Sequence, residues 1–406
     1  MQTASHNLAA RITWPLAIAQ TIVWAGLYYV FPAMLTTWEA DFGWSKTLLA
    51  LGFSLALGAS AVTAPLVGRF IDRGQGRIVM TSSAIFGALF LALLTIVTAP
   101  WQFIALWIAI GLCTAGCLYE ACFALITRAM TTNARSAITR VTLVAGFAGT
   151  LCFPSAHVLI GAAGWRLTIL IFAAVILAIA VPLMWYATGA VERQAVTANR
   201  RNSTAPRAAA MTILGRPIFW FLAIAFATIA VDHGMMVSHI LPILNSRGLS
   251  ADSAVFAASM MGPMQVLGRL AMAASERHLS TLGIAFGCFS ALTLSALAIL
   301  AAASDNILIA AFIVIQGAAM GVITIVRPVV TASLLGHEDF GMIAGMMASF
   351  YIAATAIAPA LAALLWDYGG YDSVISVALV LAGLGLLLFA IAWFSGRRMQ
   401  PSSKPS

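Results

Sequence analysis

The side chains able to do chemistry in this chain are few, and they sit where charge is costly. Glu120 lies in an apolar run that ends eight residues later at Arg128, about 12 Å of helix rise away. Arg327 lies ten residues before His337 in another such run, about 15 Å by the same rise. In hydrocarbon each would cost at least about 2.5–3.5 kcal/mol, so mutual pairing or a bound anion must offset it. The planar fork of Arg327 suits the carboxylate of an organic anion, and Glu120 suits a proton-linked or gating partner. The competing reading is a permanent salt bridge for Glu120 or an Arg327 that snorkels inward. Pro328, beside Arg327, favours a locally opened helix with free carbonyls. Arg269, in Gln265-Val266-Leu267-Gly268-Arg269, is a rival anion anchor, and engagement of both arginines would suit a dicarboxylate. Asp232 and His233 can relay protons, since histidine titrates near neutral pH, or can form a polar hinge beside Gly234. Gln20, Trp24, Tyr28 and Phe31 recur at helical spacing. They form either packing or an apolar wall for a substrate's carbon skeleton, with a hydroxyl from Tyr28.

The elements that must hold these residues are membrane spans. The 406 residues are 62% hydrophobic and 8% charged, where an average soluble domain carries roughly 25% charged residues. Runs of the length a span needs fall near 12–35, 46–68, 77–99, 101–127, 137–160, 166–187, 216–242, 253–274, 279–302, 306–334, 340–365 and 373–395. The first run is too long for a signal-peptide core and lacks a small-residue cleavage site, so it reads as a retained span. With the N-terminus cytoplasmic, all of the 21 basic residues except Lys46, Arg166 and Arg247 fall towards the inside, which places both termini in the cytoplasm. The net charge of +8 therefore reports topology and not nucleic acid. The five cysteines, Cys113, Cys117, Cys122, Cys152 and Cys288, lie inside apolar runs without metal-ligand spacing and read as reduced packing residues. Trp38, Trp44, Trp101, Trp165 and Trp393 lie near span ends, where indoles anchor to the interface.

The one long polar connection divides the chain into an N-terminal six-span bundle (1–187), a cytoplasmic linker (188–215), a C-terminal six-span bundle (216–396) and a cytoplasmic tail (397–406). The halves echo each other. Leu16-Ala17-Ile18-Ala19 returns as Leu222-Ala223-Ile224-Ala225, and Val67-Gly68-Arg69-Phe70 as Leu267-Gly268-Arg269-Leu270, a parallel repeat of the kind found in two-bundle transporters. Gly68, Asp72, Arg73 and Arg77 match the loop motif Gly-x-x-x-Asp-Arg-x-Gly-x-Arg, with Gln75 where glycine is usual. On these residues the chain resembles the major facilitator superfamily. Phe42-Gly43-Trp44-Ser45, Leu118-Tyr119-Glu120, Gly164-Trp165-Arg166 and His239-Ile240-Leu241-Pro242 resemble bacterial relatives of the monocarboxylate transporters.

The resemblance implies an all-α integral membrane fold of twelve transmembrane helices in two pseudo-symmetric six-helix bundles. Spans 1, 4, 7 and 10 would line a central cavity, with Arg327, Arg269, Tyr28, Trp24, Gln20 and Tyr119 as substrate contacts and Glu120, Asp232 and His233 coupling protons. Monocarboxylate transporters carry an acid where Gln265 stands, which shifts the expected proton carrier to Glu120 or Asp232. The Gly68 to Arg77 loop would act as a gating latch, with Asp72 pairing to neighbouring helix ends such as Arg128 or Arg135.

The function expected is secondary transport of a small organic anion, monocarboxylate-like, across the cytoplasmic membrane with protons and by alternating access. The expected protein is a monomer in the bilayer, without cofactor, metal or nucleic-acid partner. Proton-antiport efflux of an amphipathic drug or metabolite is the alternative. Gly146 to Pro154 lacks the Gly-Pro pair usual in the fifth span of such antiporters. A ligand sensor would need an added cytoplasmic domain. No nucleophile-base spacing, metal cluster or nucleotide loop points to an enzyme.

Overall fold

A computed structural model describes residues 2–129, 134–195, 214–275, 278–335 and 340–399. Every element among them is helical. The helices are α1 (Gln2–Trp24), α2 (Val30–Phe42), α3 (Lys46–Asp72), α4 (Gly76–Leu93), α5 (Pro100–Cys117), α6 (Tyr119–Ala129), α7 (Ala134–Ala145), α8 (Ala148–Val175) and α9 (Val181–Ala195). They continue with α10 (Pro217–Ser238), α11 (Ile240–Ser246), α12 (Ala251–Ser275), α13 (Thr281–Ala301), α14 (Asn306–Leu335) and α15 (Phe340–Met399). Nine helical stretches among the described residues are long and apolar enough to cross a membrane. Two of them are double: α8 turns at Gly164, and α15 at Gly369 and Gly370. With the 25-residue α12, these account for the twelve spans.

By packing, the chain separates into two compact units. The first is Met1–Arg201 with Ser238–Pro242 and Ser250–Pro263; the second is Asn202–Val237 with Ile243–Leu249 and Met264–Ser406. The first unit has an aromatic core in which Phe31 stacks on Phe53 with centroids 4.3 Å apart, Trp107 stands edge-on to Phe31, and Trp38 packs against Phe103. The second is centred on Phe219, Phe226, Phe289 and Phe389. In both units small residues bring backbones together, the device membrane helices use in place of a hydrophobic driving force. A Cβ on Gly111 would strike the carbonyl of Ala56. In the second unit a Cβ on Gly268 would strike that of Ala318, and one on Gly321 that of Gln265.

The three basic residues expected outside are each paired with an acid: Lys46 with Glu39 at 3.1 Å, Arg166 with Asp41 at 3.2 Å and Arg247 with Asp372 at 2.6 Å. Their positive charge is thereby neutralised locally, which sharpens the asymmetry in basic residues. The five cysteines are free and buried.

Candidate functional site

In the first unit, the first span is not a plain α-helix. Between α1 and α2 it passes through a π turn, Ala25–Tyr29. Bonding from i to i+5 brings residue i+5 beneath residue i, so Tyr28 and Tyr29 both approach Trp24, at centroid distances of 4.9 and 6.3 Å. The fourth span breaks opposite this turn, at Leu118, whose φ of −89° and ψ of −161° are extended. The break ends α5, begins α6 and brings the Tyr119 ring to 4.7 Å from Trp24. Gln20, fully buried, donates its amide to the Cys117 carbonyl at 2.7 Å. Interior backbone groups need partners, and this bond supplies one. The Gln20 side-chain oxygen and the Trp24 indole N–H have no hydrogen-bond partner among the described residues. Gln20, Trp24, Tyr28 and Tyr119 are therefore brought together, joined by Tyr29, which sequence spacing missed because an α-helical period turns it away. Glu120, next to Tyr119, is exposed, and it forms no ion pair among the described residues of its unit.

In the second unit, Asp232 on α10 is fully buried and accepts from the Gln316 amide of α14 at 3.2 Å. Gln316 in turn meets the Ser295 hydroxyl of α13, which also reaches the Leu292 carbonyl at 2.8 Å. The second carboxylate oxygen of Asp232 and Nδ1 of His233 lack hydrogen-bond partners among the described residues. The two neighbours do not bond to each other, since adjacent helical residues point apart. Gln316 and Ser295 escaped notice in the sequence, although a lone amide in the run Ile315-Gln316-Gly317 is its own signal.

The two candidate anion anchors differ in kind. Arg269 is buried and donates to the Gly321 carbonyl at 3.1 Å and the Thr324 hydroxyl at 3.5 Å, tying α12 to α14. Arg327 is half-buried, its guanidinium 4.0 Å from the centroid of the Tyr351 ring. A guanidinium lying over an aromatic face keeps its edge N–H groups available. No carboxylate among the described residues of its unit pairs with it.

The Gly68 to Arg77 island forms the turn from α3 to α4. The left-handed residue is Gly74, with φ of 85°, and the Gly74 and Gln75 N–H groups close the end of α3 on the Ile71 and Phe70 carbonyls. Gln75, with φ of −104°, needs no glycine, so the departure from the family motif leaves the turn intact. Arg77 lies 3.5 Å over the Trp185 ring of α9, against Gly189, and its backbone N–H donates to Glu192 at 3.0 Å. Gly68 is inside α3 with nothing within 4 Å of an added Cβ, and Arg73 is exposed. The side chains of Asp72, Arg128 and Arg135 lie outside the described residues.

The four short motifs behind the subgroup resemblance all fall on irregular backbone. Gly43, with φ of 67°, ends α2, and Ser45 caps α3. Gly164, with φ of 75°, turns α8, and the Trp165 indole and Arg166 both reach Asp41. Those two motifs pack on each other, Phe42 against Trp165 at 5.4 Å. Leu118-Tyr119-Glu120 is the break in the fourth span, and His239 separates α10 from α11.

Apolar helices traversing a bilayer, small-residue packing and polar groups gathered at breaks within the spans define a membrane transport protein. The profile of the Major Facilitator Superfamily matches residues 16–292, and the chain belongs to that family. It is a non-enzymatic, multi-pass secondary transporter of a small molecule. Among solved structures it is similar to a point variant of the nucleoside transporter NupG, with a TM-score of 0.74 at 14% identity, covering 95% of this chain and 99% of that one. It is also similar to a bacterial homologue of the human lysosomal transporter Spinster, inward-facing and occupied, with a TM-score of 0.68 at 12% identity, covering 97% and 99%. A search of curated protein sequences finds no match.

Proposed function

We propose that this transporter takes up a small organic anion of monocarboxylate type together with protons, with Arg327 holding the carboxylate. The observation that carries the reading is the state of that guanidinium: inside a span, half-buried, laid on Tyr351 and without a carboxylate partner among the described residues of its unit. A cation so placed is stabilised by an anion that comes and goes, and the free edge of the fork matches a carboxylate. Arg269, engaged with Gly321 and Thr324, serves to join helices.

Proton coupling is assigned to Asp232, which is buried and accepts a hydrogen bond from the neutral Gln316 amide, with His233 and Glu120 as further carriers. The protein works as a monomer in the cytoplasmic membrane, with both termini inside. It consists of two six-span halves, 1–187 and 216–396, joined by a cytoplasmic linker at 188–215. The Gly68, Asp72, Arg73 and Arg77 turn latches one state of alternating access.

The test is a thermal-shift screen of purified protein against mono- and dicarboxylates, amino acids and cationic dyes, followed by uptake with and without a pH gradient. Stabilisation by monocarboxylates and gradient-driven accumulation support the reading. Stabilisation by cationic dyes alone overturns it in favour of proton-antiport efflux.

A further inference from the structure

The buried polar group of the second unit contains one donor with two acceptors in reach. Asp232 on α10, Ser295 on α13 and Gln316 on α14 are each fully buried. The Ser295 hydroxyl touches the Leu292 carbonyl at 2.8 Å and also the Gln316 side-chain oxygen. A hydroxyl has one hydrogen to give, so it serves one of them at a time. Which one it serves is set by the Gln316 amide. With its nitrogen towards Asp232, at 3.2 Å, the amide offers its oxygen to Ser295 and takes the serine's hydrogen. Turned half over, it fills the same volume with nitrogen and oxygen exchanged. Ser295 then accepts from the amide and donates to Leu292, and the amide oxygen meets Asp232 as an acceptor. That contact holds when the carboxyl carries a proton to donate. The other oxygen of Asp232 has no hydrogen-bond partner among the described residues, so among them the amide alone answers to the state of the carboxyl.

We infer that Gln316 positions the proton carrier by turning over: its amide donates to Asp232 when the acid is ionised and accepts from it when the acid is protonated, and Ser295 changes acceptor in step. Loss of the proton to water turns the amide nitrogen to the carboxylate and moves the serine's hydrogen from Leu292 to Gln316. The inference rests on the reading of Asp232 as the proton carrier and adds how its two states are held. A fixed cation beside a carboxyl favours only the charged form, and an apolar wall only the neutral one. An amide backed by a hydroxyl gives each form one hydrogen bond, which lets a carrier both load and unload. Among the described residues Asp232 forms no ion pair. α13 meets α10 at Phe289, and α15 meets it at Phe350 and Ala358, all uncharged. Cys288 of α13, Arg327 of α14 and Tyr351 of α15 are the ionisable groups away from the ends of those spans, and none bonds to Asp232. Arg327 lies eleven residues beyond Gln316, about 16 Å along the helix, and His233, the next residue on α10, points apart from Asp232.

The experiment uses the full purified chain, with isotopically labelled glutamine, and records infrared difference spectra through a pH titration. The carboxyl band of Asp232 is the one that Asp232→Asn removes, and the amide band of Gln316 is the labelled band that Gln316→Leu removes. Both bands should change together over the same pH interval. In Asp232→Asn, which has no proton to lose, the glutamine band should lose its response to pH altogether, an outcome that a merely structural amide would not give. Should Gln316→Leu fail to fold, the Asp232→Asn spectrum decides. A glutamine band that stays still while the Asp232 carboxyl titrates overturns the inference and leaves Asp232 standing as the proton carrier. A carboxyl that changes state nowhere in the titration overturns that reading and the inference with it.

Discussion

Replacing Arg327 by lysine keeps the positive charge and removes the fork, so it isolates what the guanidinium geometry contributes. In the structure the guanidinium lies 4.0 Å over Tyr351, and its edge can give a carboxylate two parallel hydrogen bonds. Lysine offers a point charge on a flexible stem, and one of the two bonds is lost. A hydrogen bond to a charged group is worth about 1.5–3 kcal/mol, and 1.4 kcal/mol is tenfold, so Arg327→Lys should bind a monocarboxylate roughly 10- to 100-fold more weakly. Tyr351→Phe keeps the aromatic face and should change little. Tyr351→Leu removes a contact worth about 0.5–2 kcal/mol and should fall between. Isothermal titration on detergent-purified protein, with size-exclusion profiles to show that each variant is folded, measures all three. Arg269→Lys is the counter-experiment: it should lower folded yield, since Arg269 donates to the Gly321 backbone, while the protein that does fold binds normally. Undiminished binding by a monodisperse Arg327→Lys protein, or loss of affinity in Arg269→Lys alone, refutes the assignment.

Asp232→Asn retains the shape of the side chain and its bond to Gln316, so it should bind substrate but lose accumulation driven by a pH gradient; unaltered pH dependence counts against a coupling role. Gln316→Leu leaves the buried Asp232 without the amide that reaches it at 3.2 Å, a loss of about 1–3 kcal/mol that should appear as a lower unfolding temperature. Gly74→Ala forces a side chain into the left-handed region at a cost of about 1–2 kcal/mol, whereas Gln75→Gly should be silent in the same melting assay. Asp72→Asn should slow transport more than it weakens binding; a collapse of affinity would remove the latch from the mechanism.

Much of the fold was legible because the bilayer imposes a simple rule on composition. Long apolar runs, the separation of basic residues and the Gly68 to Arg77 motif gave the architecture directly. The aromatic face was half legible: Gln20, Trp24 and Tyr28 follow an α-helical period, but Tyr29 joins them only through a π turn that no periodicity announces. The partner of Asp232 was missed because the sequence separates it from Gln316 by 84 positions and an amide attracts less notice than a charge. Sequence alone also ranked Arg269 and Arg327 as rivals, since depth in a span is readable from residue counts while the carbonyl that occupies one guanidinium is not.

The crossed contacts of Gly268 with Ala318 and of Gly321 with Gln265 bear on how Arg327, the proposed anion anchor, can travel. Side chains between helices have alternative rotamers and let one helix roll over another; backbone touching backbone has none. The second half of α12 and the middle of α14 are thus riveted into a single stiff plate, with Arg269 as a cross-bolt to Gly321. Arg327, less than two helical turns further along α14, rides on that plate. Rocking of the second half of α12 would be delivered to the arginine undamped, with no hinge of its own required.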